Sequence, residues 1–137
     1  MPESLRVERH GDRIVATLSR PEVRNAIDQD TIDRLHELCG ELEREPRTLI
    51  LTGSDGVFAS GADIAQLRER RAADARRGIN TRAFTRVRNL PMPVIAAIDG
   101  YALGGGAELA YAAAMMPSPV SGLPILRLGE PMRMSAA

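Results

Sequence analysis

The stretch Pro93–Ala110, PVIAAIDGYALGGGAELA, decides the fold. It opens on Val94–Ile98, an apolar run bounded by Pro91 and Pro93, the pattern of a strand buried in a parallel sheet. Asp99-Gly100 turns the chain. Leu103-Gly104-Gly105-Gly106 then leads into a segment that predicts a helix from Ala107 to about Ala114. The same order recurs upstream. Thr48–Thr52 (TLILT) reads as a second buried strand, Gly53–Gly56 as a turn, Val57–Asp63 (VFASGAD) as a glycine-containing loop, and a helix starts near Ile64.

Further out, Leu5–His10 and Ile14–Leu18 read as two strands joined by a Gly11-Asp12 turn, and Ser19–Glu22 breaks the pattern. Asp28 or Asp30 is placed to cap a helix that runs to about Glu45, where Pro46 ends it. Ile32, Leu35, Cys39 and Leu42 fall on one face of that helix. Arg68–Arg88 is expected to be helical. Strands alternating with helices imply an α/β layered fold. The core is expected over 1–114, with Met115-Met116-Pro117-Ser118-Pro119 breaking any helix and 115–137 forming a poorly ordered tail.

The two glycine loops, Ser60-Gly61-Ala62-Asp63 and Gly104-Gly105-Gly106-Ala107-Glu108, each follow an apolar strand and each open a helix. Helix starts carry unpaired N–H groups and partial positive charge, and glycine lets another group approach them. If both loops face one cleft, two amides converge on one oxygen and form an oxyanion hole. A thioester suits such a site, because polarising its carbonyl makes the α-proton accessible to a carboxylate. Glu108, in the first turn of its helix, is the candidate general acid/base. The plainer readings are a tight turn for the glycines and a favourable dipole interaction for Glu108. A phosphate loop or dinucleotide fingerprint is not supported, since neither Gly-Lys-Ser/Thr nor GxGxxG spacing occurs.

Composition narrows the classes. The 137 residues carry 18 basic and 18 acidic side chains, with no basic excess for nucleic acid. Aromatics are 3% and Trp is absent, which argues against base-stacking platforms. Every basic residue in the 18 is Arg, so lysine Schiff-base chemistry is excluded. Cys39 is the only cysteine, Met1–Arg9 has no signal-peptide core, and no apolar run approaches the roughly 20 residues that span a bilayer. A cytoplasmic protein away from membranes is expected. His10 and His36 lack ligand partners at metal-site spacing, so no metal is expected. Ser54 and Ser60 lack a partnered His, which argues against a Ser-His-Asp hydrolase. Cys39 reads as a core residue. The eight Arg of Arg68–Arg88 read as a solvated face, with phosphate binding as the alternative.

The segments PEVRNAID (Pro21–Asp28), FASGADI (Phe58–Ile64) and PVIAAIDGYALGGGAELA (Pro93–Ala110) resemble, in order and approximate spacing, the crotonase or enoyl-CoA hydratase/isomerase superfamily, across roughly Leu5–Ala112. The resemblance implies a crotonase-like spiral of ββα units and an acyl-CoA thioester substrate. Coenzyme A is then part of the substrate, and no separate cofactor is needed. It implies an oxyanion hole from the Ala62 and Gly105 amides, and Glu108 as a catalytic carboxylate. It further implies that CoA lies along Arg24–Ala26 and Ser60–Ile64. Arg24 would meet its phosphates. Ala26, Ser60, Ala62 and Ile64, with the turn at Gly104 and Gly105, would offer mostly backbone contacts, and Asp63 would brace the loop.

Two departures follow. Ser121–Gly129 resembles the family segment that carries a second catalytic Glu, but Ile125 stands at that position and Glu130 does not match it. The family's C-terminal half, with the helices that close the acyl pocket and build a homotrimer or hexamer, is expected to be missing, which would expose apolar surface. By ancestry the expectation is an acyl-CoA enzyme of hydratase or isomerase type; for present activity, Ile125 and the missing half favour a non-catalytic acyl-CoA-binding remnant. The third reading is a structural fragment without ligand.

Overall fold

The computed structural model describes residues 3–61 and 73–117. Strands β1 (Leu5–Arg9) and β2 (Arg13–Leu18) pair antiparallel across the Gly11-Asp12 turn, with Leu5 opposite Leu18. A short 3-10 turn, Pro21–Val23, leads to helix α1 (Gln29–Arg44), which crosses to strand β3 (Thr48–Gly53). Helix α2 (Ala73–Arg88) precedes strand β4 (Val94–Ile98); helix α3 (Gly105–Tyr111) precedes strand β5 (Ala114–Pro117). The strands form one sheet in chain order, β1-β2-β3-β4-β5, with every pair after the hairpin parallel.

Of the two candidate caps, Asp28 holds α1. Its Oδ1 accepts from the Thr31 N–H at 2.8 Å and from the Thr31 hydroxyl at 2.7 Å, while Asp30 accepts from the Ser4 hydroxyl at 2.6 Å. The expected stripe Ile32, Leu35, Cys39 and Leu42 is buried, widened by Thr31 and Leu38. That stripe, with Ala83, Phe84 and Val87 of α2, packs on the sheet residues Leu49, Leu51, Val94 and Ala96.

The apolar runs of β3 and β4 are buried on one face rather than two. Leu49, Leu51, Val94 and Ala96 point into the core, while Ile50 and Ile95, side by side with Val15, are half-buried on the opposite face. An unbroken apolar strand is compatible with cover on both faces; α1 and α2 cover one. The other difference is β5. Met115-Met116-Pro117, read as a breaker, pairs with Ala96-Ala97-Ile98, so the sheet runs past residue 114. Pro117 takes the last strand position, where a missing donor interrupts no ladder beyond it. The remainder of the 115–137 segment, with Ile125 and Glu130, lies outside the described residues, as does the start of the Arg68–Arg88 segment. No helix among the described residues is long and apolar enough to cross a membrane.

Candidate active site

Parallel strands β2, β3 and β4 release their chains at the same end of the sheet, so the loops after Leu18, Gly53 and Ile98 lie side by side. Ligands in open α/β sheets bind outside such carboxyl ends. The middle loop is stitched to both neighbours. On one side, the Ser60 N–H donates to the Arg24 carbonyl (3.1 Å), the Ile27 N–H to the Gly61 carbonyl (2.7 Å), and the Ser60 hydroxyl to the Val23 carbonyl (3.3 Å). On the other side, the Phe58 N–H donates to the Tyr101 carbonyl and the Leu103 N–H to the Ala59 carbonyl, both at 3.0 Å. Ala59 and Ala102 thereby form a parallel bridge.

This stitching brings the two glycine turns together. Gly61 adopts φ +104°, and a Cβ placed on it would lie 3.2 Å from the Leu103 carbonyl oxygen and 3.7 Å from the Gly105 nitrogen. Gly104, at φ +50°, forms the entry to α3, which begins at Gly105, two residues earlier than the sequence predicts. Among the described residues, the Gly105 N–H has no hydrogen-bond acceptor. The Gly106 N–H is taken by the Leu103 carbonyl at 2.8 Å. Gly105 is thus an orphan donor of the kind expected at a helix start. Ala62, the expected second donor, and its neighbours Asp63 and Ile64 lie outside the described residues.

Glu108 occupies the first turn of α3, exposed, with no hydrogen-bond or ion-pair partner for its carboxylate among the described residues. It lines a cavity of about 490 Å³ shared with Thr81, Phe84, Thr85, Arg88 and Tyr111, a volume within the usual range for small-molecule sites. Glu108 and Gly105 are therefore brought to one end of one helix.

The other sequence-predicted residues fall nearby with unequal freedom. Arg24, at φ 53°, is exposed beside Ser60. Ala26 is buried, and its carbonyl accepts from the Arg20 guanidinium at 2.7 Å. Within the Arg cluster the roles differ. Arg86 engages Glu43 at 2.8 Å and His36 at 3.1 Å across the α1–α2 contact, whereas Arg88 faces the Glu108 cavity. Asn25 escaped the sequence reading. It is buried, at φ 57°, and its side chain bonds backbone on both flanking segments. The available signal was an Asn in a turn context, since Asn tolerates the left-handed region.

Two glycine turns in contact at the carboxyl end of a mostly parallel sheet, the second opening a short helix, are the arrangement of a crotonase-like α/β protein. The family model for enoyl-CoA hydratase/isomerase matches residues 9–129, and the chain belongs to that family. It is 39% identical over 109 residues to a short-chain-enoyl-CoA hydratase of Clostridium acetobutylicum, covering 76% of this chain and 42% of the relative. It is 42% identical over 117 residues to carnitinyl-CoA dehydratase of Escherichia coli, covering 82% and 44%. Among solved structures, an enoyl-CoA hydratase/carnithine racemase from Magnetospirillum magneticum superposes with a TM-score of 0.77 at 33% identity, covering 85% of this chain and 47% of that one. The enoyl-CoA hydratase of Bacillus anthracis does so with a TM-score of 0.77 at 28% identity, covering 83% and 47%. The chain spans less than half the length of these relatives.

Proposed function

We propose that this chain binds an acyl-CoA thioester and promotes enolate chemistry on it, as a hydratase/isomerase-type enzyme. The observation that carries the reading is the seating of the Gly61 turn against the Gly105 amide, with Glu108 one helical turn further along. The thioester oxygen sits against the Gly105 N–H and its partner from Ala62. Removing one such donor typically costs about 3–4 kcal/mol of transition-state stabilisation. Arg24 meets the CoA phosphates, with backbone groups of Ser60–Ile64 and Gly104 beside the thioester arm, Asp63 bracing that loop and Ala26 packed behind it.

One carboxylate suffices for double-bond isomerisation: Glu108 takes the α-proton, the amides hold the enolate, and the same proton returns at the γ-carbon. Hydration needs a second group to activate water, and Ile125 stands where the family's second Glu is expected. That substitution favours a second reading, acyl-CoA binding without turnover. Following the enoyl-thioester absorbance of crotonyl-CoA and of a 3-enoyl-CoA separates them. Turnover that vanishes in Glu108→Gln supports the enzyme. CoA-dependent thermal stabilisation without turnover supports the binding protein. Absence of both sinks the proposal.

A further inference from the structure

Asn25 spends its whole hydrogen-bonding capacity on other residues' positions. Its Oδ1 accepts from the Arg20 N–H at 2.8 Å and from the Ser54 hydroxyl at 3.2 Å. Its Nδ2 donates to the Ser54 carbonyl at 3.1 Å and to the Val57 carbonyl at 2.9 Å. Two donors and two acceptor sites are the full inventory of a primary amide. The amide orientation follows from its partners, because a flip would set an NH₂ against the Arg20 N–H. The side chain is 2% exposed, so an unpaired polar atom there would be costly.

The residues tied in this way frame the loops of the site. Asn25 lies next to Arg24, and the two are consecutive residues at positive φ, 57° and 53°. Arg24's carbonyl receives the Ser60 N–H, and Ile27, two residues after Asn25, donates to Gly61. The Ser54–Val57 loop that Asn25 grips also abuts the third loop: a Cβ on Gly100 would lie 1.8 Å from the Gly56 carbonyl oxygen. One buried amide therefore fixes the first loop against the second at a point where the second meets the third.

We infer that Asn25 is a positioning residue: it holds the Arg24 turn and the Ser60–Gly61 turn in one rigid relation, so that the CoA-facing and oxyanion-facing parts of the site are set together. Its consequence for ligand binding rests on the proposed function; its effect on the loops does not.

Residue-resolved hydrogen exchange on Asn25→Gly tests it. Glycine keeps the freedom to adopt positive φ and removes only the side-chain ties. Ser60 and Ile27 amides are expected to exchange at least about tenfold faster, since the buried side-chain ties that hold their loops together are lost. Leu51 and Ala96 amides in the sheet should keep their rates. Unchanged exchange at Ser60 and Ile27 overturns the inference. So does a uniform acceleration of all four amides like that from Leu42→Ala, a destabilising change in the last turns of α1, at the opposite end of the sheet from these loops. If Asn25→Gly does not fold, Asn25→Asp keeps the shape and the acceptors but loses both donated bonds; wild-type exchange in that variant likewise overturns it. Where the wild type is stabilised by CoA, that shift should shrink in the Asn25 variants. If CoA does not stabilise the wild type, the functional reading falls while the exchange result still decides the role of Asn25.

Discussion

Gly106 and Ala59 meet with no space between them: a Cβ on Gly106 would lie 2.6 Å from both the Ala59 Cβ and the Ala59 carbonyl oxygen. The first turn of α3 is thereby seated directly on the loop that precedes Ser60. Gly106→Ala is expected to push the helix off that seat and to lower stability by about 1–3 kcal/mol, the usual cost of overpacking. A denaturant midpoint equal to wild type would show that the contact yields without cost.

Asp28 accepts two hydrogen bonds from Thr31 and lies 3.5 Å from the Arg20 guanidinium. Asp28→Ala removes the side-chain cap at the start of α1. The expected loss is about 1 kcal/mol, read from urea unfolding, with Asp28→Asn largely restoring it because Asn caps equally well.

The elements that sequence reading anticipated are those whose signal is local. Val94–Ile98 and Thr48–Thr52 announce strands by composition, and the Ile32–Leu42 stripe announces a helix face. What sequence missed depends on distant partners. Asn25 bonds residues 29 and 32 positions away, which no local pattern reveals. Met115-Met116-Pro117 becomes a strand because β4 offers it an open edge. The glycine turns were anticipated as a pair by their shared syntax. Their contact could be read only from the folded chain, since it depends on Leu103 and Ala59 pairing across more than forty residues.

Burial pushes the Cys39 thiol up to about 11, opposed by the nearby Arg86 charge and reinforced by Glu43. A thiol whose folded value is raised stabilises the fold fully below its unfolded value, about 8.5, and that contribution disappears as pH rises through the folded one. Stability should therefore decline between these two values. Native Cys39 should resist iodoacetamide at neutral pH and react promptly once unfolded in urea. Equal rates in both states would contradict the burial.

The acid side has different sources. Hydrogen bonding from the Ser4 hydroxyl, then from Arg34, lowers the Asp30 carboxyl; the Arg9 fork lowers Glu41. Depressed carboxylates stabilise the fold above their unfolded values, about 4, and that support is lost as pH falls through the folded ones. Both groups are largely solvated, so the effect is modest. Ser4→Ala should flatten the decline of urea midpoints below about pH 4; an identical slope would remove Asp30 from the account.

Glu108 is exposed and unpartnered among the described residues, so Glu108→Gln should leave stability within about 0.5 kcal/mol of wild type. If the chain turns over acyl-CoA, the same change should lower the rate about 10²–10⁴-fold. A large stability loss would reassign Glu108 to a structural role.

The one-way run of β2, β3 and β4 sorts the connecting segments into two populations. Those around residues 10–12 and 45–47 sit at the far rim, at the other end of the strands from the Gly61 and Gly104 turns, and are where a tag, a label or a few added residues should be absorbed without consequence for ligands. The segments after Leu18, Gly53 and Ile98 share one crowded corner, where lengthening any of them displaces its neighbours.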